Sequence, residues 1–349
     1  MTTLTPPRAA VIGGVDTHDD VHVVAVCDPL GAVLATRSFP TTPSGYRGLQ
    51  RFVASFGEVE AVGVEGTGSY GSGLARHLTS EGVRVVEVNR PNRQVRRAHG
   101  KNDTVDAIAA ARAVISGQAT VAPKSHDGTV EALRSLQIVH RSAYKARTQA
   151  LNQLHSLIVA APEPVRGQLR DLPRRQMLAT AQSFRPGDRD DLVSVAKLAL
   201  RELANRVADL DAQIARVATR RRRLLTQTAP QLIAITGVGP DTATTLLLAA
   251  GDNPDRLTSQ ATFAALLGAS PIPASSGKTT RMRLNRGGDR LGNAALWRIV
   301  ITRMATQPDT RAYVERRTKE GLSKPEIIRC LKRYVAREVF NALPRELLP

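Results

Sequence analysis

Aromatic side chains are scarce in this chain: Phe, Trp and Tyr together make up 3% of its 349 residues. So low a share argues against an extended platform on which nucleic-acid bases stack. Cysteine is scarcer still, with only Cys27 and Cys330, far apart in sequence. Two such residues give neither a disulfide framework nor a metal-ligand spacing, and they suit a reducing compartment. No apolar run reaches ~18 residues, so no membrane-spanning helix is expected. The first residues lack a basic stretch followed by an apolar core, so no secretory signal is expected either.

Acids are outnumbered as well. Lys and Arg total 49 against 31 Asp and Glu, which leaves +18. An excess of that size implies a polyanionic partner, most simply nucleic acid. The expected location is a bacterial-type cytoplasm, with the protein on the nucleoid. The charge is uneven: residues 1–120 carry a net +1, residues 121–268 a net +7 and residues 269–349 a net +10. Acids therefore gather early, and the grip on a polyanion lies late.

The early acids fall in a pattern. Residues 9–16 form an apolar run that ends in Asp16, and residues 61–65 form another that ends in Glu65. Residues 21–27 and 33–39 are β-rich, with a turn at Asp28-Pro29-Leu30-Gly31 between them. Helical spacing of Tyr46, Leu49, Phe52 and Val53 marks a helix over 43–56. A helix over 71–81, a strand over 83–88 and a helix from Asp103 complete the order β-β-β-α-β-α-β-α. Functional groups in α/β sheets sit outside the carboxyl ends of strands. If the strands ending in Asp16 and Glu65 are neighbours, their acids are too. Asp103 and Asp106, three apart at a helix start, share one face and can close the same cleft. Four carboxylates together are costly without a cation among them. They would suit hard divalent ions and in-line attack on a phosphodiester. Asp103 alone also reads as a helix cap with a second acid in the first turn. Asp19, Asp20 and Asp28 read as solvated turn acids; His18 and His22, near Asp16, read as surface residues, with contact to substrate phosphate as the alternative. Arg90, Arg93, Arg96 and Arg97 form either a phosphate track or a solvated face.

Three stretches carry a resemblance: Gly14-Val15-Asp16-Thr17-His18, Val64-Glu65-Gly66-Thr67-Gly68-Ser69-Tyr70 and Lys101-Asn102-Asp103-Thr104-Val105-Asp106-Ala107. Together they resemble the ribonuclease-H-like fold, and more closely the DEDD transposases of insertion sequences, whose N-terminal domain is RuvC-like, similar to a Holliday-junction resolvase. The resemblance implies an α/β catalytic domain over 1–120, a helical coiled-coil linker over 121–228 and a mainly helical transposase domain over 229–349. It implies Mg²⁺ on Asp16, Glu65, Asp103 and Asp106.

Further along, Val, Ala, Leu, Leu, Val, Leu, Ile and Val at 193, 196, 200, 203, 207, 210, 214 and 217 keep a 3-4 rhythm. An internal antiparallel helix pair and a dimer seam satisfy it equally. The run Arg216 to Arg223 is expected to face solvent or nucleic acid. Gly237-Val238-Gly239-Pro240 before a helix resembles a helix-hairpin-helix grip on a phosphate backbone, through Gly237 and Gly239. Ala274-Ser275-Ser276-Gly277-Lys278 begins a small-residue loop, followed by Arg281, Arg283 and Arg286 and by a helix from Ala294. On chemistry alone it is a loop, because a free serine hydroxyl needs help to act as a nucleophile. Trp297 and Tyr313 read as packing residues.

In the resembled family a Ser-Gly at this place attacks DNA and forms a phosphoserine link, with a Gly-Asn downstream before a helix. The match falls on Ser276-Gly277 and Gly292-Asn293, with Ser275 one residue away. Lys278, Arg281, Arg283 and Arg286 would then contact the nucleic acid. The resemblance further implies donor and target DNA as substrates, a structured guide RNA (the bridge RNA) and a homo-oligomer, dimer or tetramer, with a site composed from two protomers. The alternative is a metal-dependent junction nuclease in which water, and not Ser276, attacks.

Overall fold

The computed structural model describes residues 9–88, 102–124, 128–251, 257–275 and 282–344. It divides into two compact units, Met1–Asp127 and Gly128–Pro349.

In the first unit the order is β1 (Ala10–Thr17), β2 (Val21–Cys27), β3 (Val33–Pro40), α1 (Pro43–Ala54), β4 (Glu58–Glu65), α2 (Ser72–Ser80), β5 (Val85–Val88) and α3 (Asp103–Ile115). This is the expected order. The five strands form one sheet, β3-β2-β1-β4-β5, in which β1 runs antiparallel to β2 and parallel to β4. Such a meander joined to a parallel half is the ribonuclease-H-like arrangement. β1 lies at the centre and is covered on both faces, so its sequence is an apolar run without polar alternation. β3 is an edge strand and largely exposed.

Alternation along the strands sorts the side chains between two layers. Val11, Val15, Val24, Val26, Val62 and Val64 pack with Leu49 and Val53 of α1 and Leu74 and Leu78 of α2. Ile12, Cys27, Val23 and Ala25 face the opposite layer, against Ala107 and Ala111 of α3. Asp16 and Glu65 have the parity of this second layer, so they point to the side where α3 lies.

In the second unit α4 (Gly128–Ala160) and α7 (Leu192–Thr228) pair as an antiparallel hairpin, joined through α5 (Glu163–Arg166) and α6 (Arg174–Gln182). Leu154 and Ile158 near the end of α4 meet Leu200 and Ala204 near the start of α7. Val130 and Leu133 at its start share a cluster with Leu225 at the end of α7. The 3-4 rhythm left open is thus an internal seam, with Leu200 and Val207 buried on it.

One of the arginines expected to face outward does not: Arg221 is 2% exposed, while Arg216, Arg220, Arg222 and Arg223 are exposed. Its guanidinium donates to Gln137 Oε1 and, at 2.5 Å, to Asp241 Oδ1.

The remaining elements are α8 (Pro230–Ala234), α9 (Pro240–Ala250), α10 (Gln260–Leu266), a small hairpin of β6 (Ile272–Pro273) and β7 (Met282–Arg283), α11 (Arg290–Thr306), α12 (Pro308–Lys319) and α13 (Lys324–Asn341). Leu246, Phe263, Leu296, Ile299 and Val335 form their core. α11 begins at Arg290 and not at Ala294. Asp289 caps it by accepting from the Gly292 amide at 2.7 Å, so Gly292-Asn293 lie in its first turn. Trp297 is 47% exposed, a departure from the expected packing role, whereas Tyr313 meets Tyr334 edge-on at 5.8 Å.

Candidate active site

Asp16 and Glu65 lie at the carboxyl ends of β1 and β4, and Asp103 and Asp106 in the first turn of α3; the charges of Asp103 and Asp106 act on Asp16. Val15 is in parallel register with Val64, so Asp16 and Glu65 follow as the next residues on adjacent strands. The Thr17 hydroxyl donates to the Glu65 carbonyl at 2.8 Å, which ties the two strand ends together. Asp16, Glu65 and Asp106 are all buried, at 5%, 8% and 5% exposure.

α3 is capped by Asn102, whose side chain accepts from the Thr104 amide at 2.9 Å. With the cap supplied by Asn102, the Asp103 carboxylate is not used to cap the helix. It lies in the first turn beside the strand ends, half-exposed. The helix approaches β1 closely because residue 14 is glycine: a Cβ there would sit 2.2 Å from both the Ala107 carbonyl oxygen and the Ala111 nitrogen.

His18 closes the group. Its Nε2 lies 3.1 Å from Asp16 Oδ2 and 3.4 Å from Asp103 Oδ1. A surface role was expected for this residue. Strand parity is the signal in the sequence that marks it, since residue 18 falls on the same side as residue 16. His22, expected at the surface too, is fully buried on the other layer and stacks on Tyr46 at 5.7 Å. Asp19 and Asp20 are exposed, and Asp28 accepts from the Leu30 and Ala32 amides in its turn, as expected of turn acids.

Burial pushes the Asp16 carboxyl above its ordinary range. His18 pulls it back, and the charges of Asp106 and Asp103 push it further up. The donor set fits a cation: one ligand atom each from Asp16, His18 and Asp103 lies within 4.8 Å of the other two. Two of these three donors are carboxylates, which suit hard divalent cations.

The other expected site residues lie in the second unit. Gly237 has φ +86°, and Gly239 forms the N-cap of α9 with open space where a Cβ would be. Arg283 on β7 and Arg286 beyond it are exposed. Ser276, Gly277, Lys278 and Arg281 lie outside the described residues, as do Arg90, Arg93, Arg96, Arg97 and Lys101.

A ribonuclease-H-like sheet with clustered carboxylates at its strand ends defines a class: metal-dependent enzymes acting on phosphodiesters. Two family models make it particular. The DEDD transposase model of the IS110 type matches residues 13–161, and the transposase model of the IS116/IS110/IS902 family matches residues 229–315, together more than half of the chain. The chain belongs to the IS110-type DEDD transposases. It is a DNA-cutting and rejoining enzyme of an insertion sequence. No curated protein matches it. Among the described residues no helix is long and apolar enough to cross a membrane.

Proposed function

We propose that this transposase breaks and rejoins DNA by attack of Ser276 on a phosphodiester, with Asp16, Glu65, Asp103 and Asp106 holding Mg²⁺. The supporting observation is the convergence of Asp16, Asp103 and His18, with Asp106 and Glu65 buried beside them. When bound, the cation polarises the scissile phosphoryl group and offsets the charge that develops on it. The serine oxygen bonds to phosphorus as the bond to the leaving deoxyribose oxygen breaks, and the hydroxyl proton passes to that oxygen or to solvent. One phosphodiester replaces another, so the energy of the link is kept for rejoining. Lys278, Arg281, Arg283 and Arg286 offset negative charge at the phosphate, and the turn at Gly237 and Gly239 holds the backbone further along.

The acids belong to residues 1–120 and the serine to residues 229–349, so the working site joins two domains, drawn from two protomers of a homo-oligomer. A structured RNA transcribed with the element guides the choice of donor and target DNA, and the +18 charge suits both nucleic acids. The test is to trap the reaction under denaturing conditions. A covalent protein–DNA species should form with the native chain and vanish in Ser276→Ala. Strand exchange retained in Ser276→Ala would leave the junction-nuclease chemistry, with water as nucleophile. Sequencing RNA that co-purifies with the protein tests the guide.

A further inference from the structure

A cavity of about 850 Å³ opens in the second unit, at the upper end of the size range of ligand pockets, about 300–1,000 Å³. One wall is the β6–β7 hairpin with Pro271, Met282, Arg283 and Leu284, and another is the face of α13 that carries Arg329, Arg333 and Tyr334. Lys332 stands where this cavity adjoins a smaller one lined by Arg286, Arg290 and Asn293.

Two features of the lining need a ligand to make sense. The first is uncompensated positive charge. Among the described residues no carboxylate lies within 4 Å of Arg283, Lys332 or Arg333, and the single acid of the lining, Glu326, is engaged with Ser323 and lies 3.9 Å from Arg329. Lys332 donates to Asn293 Oδ1 at 2.9 Å, and Asn293 is held in turn by its bond to the Leu267 carbonyl at 2.7 Å. Burial, and then the charge of Arg329, push the Lys332 ammonium below its ordinary range, so the position is costly without an anion. The second feature is exposed apolar surface at the same place: Met282 is 63% exposed, Leu284 55% and Tyr334 52%.

Cations beside exposed apolar and aromatic side chains suit a nucleotide with its base turned out: phosphate on the lysine and arginines, base on the tyrosine. A duplex keeps its bases stacked inside and would leave these side chains uncovered. We infer that this cavity takes one unstacked nucleotide of the DNA strand being cut, with Lys332 and Arg283 on its phosphate and Tyr334 under its base. The choice of DNA rests on the reading of Ser276 as the group that attacks DNA, because β6 and β7 flank the segment that carries it.

The test needs no cleavage, so its outcome is separate from that of the serine assignment. Short single-stranded DNA carrying 5-iodouracil is bound to the full chain, irradiated and mapped by mass spectrometry, and affinities are read by fluorescence anisotropy over a salt series. Cross-linking to Tyr334 is expected. Tyr334→Ala should weaken binding about tenfold while Tyr334→Phe retains it, as stacking requires. Lys332→Met should weaken binding and lower the salt slope by about one, as loss of a phosphate contact requires. Full affinity in both Tyr334→Ala and Lys332→Met overturns the inference. So does duplex DNA, or RNA of the same sequence, that binds more tightly and loses as much in these variants.

Discussion

The Nε2 of His18 lies 3.1 Å from Oδ2 of Asp16, two residues apart at the end of a strand, and the same nitrogen is 3.4 Å from Asp103 Oδ1. An imidazole in an otherwise carboxylate site changes which cation is preferred. Oxygen ligands suit Mg²⁺, whereas Mn²⁺ accepts nitrogen more readily and stands ahead in intrinsic affinity. Calorimetric titration should find Mn²⁺ bound more tightly than Mg²⁺, and His18→Ala should cut Mn²⁺ affinity by about 10–100-fold, as for ligand-orienting partners in general. Equal Mn²⁺ affinity in both proteins would remove His18 from the site.

Asp16 carries a cost that the cation offsets. Its carboxyl is pushed up by burial and by two neighbouring acids, so in its ionised form it opposes folding when no metal is bound. Asp16→Asn removes that charge at nearly constant shape. In the presence of a chelator the variant should melt a few degrees above the native chain, about what 1 kcal/mol achieves. Added Mn²⁺ should raise the melting point of the native chain and leave that of Asp16→Asn nearly unmoved. A chelated variant that melts lower than the native chain would mean that Asp16 is structural.

The closeness of α3 to β1 is a property of residue 14. A methyl group there would meet the backbone of Ala107 and Ala111 at 2.2 Å, and backbone cannot step aside as a side chain can. The helix must move, and Asp103 and Asp106 move with it. Gly14→Ala should therefore cost up to about 3 kcal/mol in urea unfolding, the upper range for overpacking, and weaken Mn²⁺ binding as well. A stable variant with unchanged Mn²⁺ affinity would contradict the close packing.

Much of the first unit is legible in the sequence because strand parity is strict. Asp16 and Glu65 end two apolar runs, and adjacency of those runs makes the acids neighbours. Two residues past Asp16 the same parity points to His18. The second unit is harder. Four consecutive arginines, Arg220 to Arg223, sweep about 300° around a helix, so one of them must meet whatever packs there, and that one is Arg221. Gly292-Asn293 is expected before a helix, but both residues lie inside its first turn, with Gly292 packed against Leu267. Neither burial can be known before the partner helix is known.

Arg221 also sets an asymmetry. The guanidinium is 2% exposed, but the carboxylate of Asp241 is half-exposed. Arg221→Met leaves an acid that water can solvate. Asp241→Asn leaves a buried charge with weaker compensation, which is the costlier change. Urea unfolding should therefore rank Asp241→Asn as the more damaging substitution. The reverse order would mean that the packing of Arg221, and not its charge, holds α7 to α9.

His22 gives the first unit a pH dependence that can be isolated. Its ring is fully buried, neither ring nitrogen has a hydrogen-bond partner among the described residues, and Tyr46 stacks on it. Burial, with the charge of His18 second, pushes its pKa down from 6.5 to about 4. In the fold the ring stays neutral, while the unfolded chain takes up a proton below pH 6.5. Stability is therefore full above 6.5, falls as pH drops from 6.5 to about 4, and levels off below that. The drop that this one group accounts for is about 3 kcal/mol. Phenylalanine at this position keeps a ring against Tyr46 and has nothing to protonate. Melting curves of the full chain and of His22→Phe between pH 7 and pH 4 share every other titrating group, so the difference between them belongs to His22. The native chain should lose more stability over that range, and parallel losses would show that the ring gains its proton without unfolding.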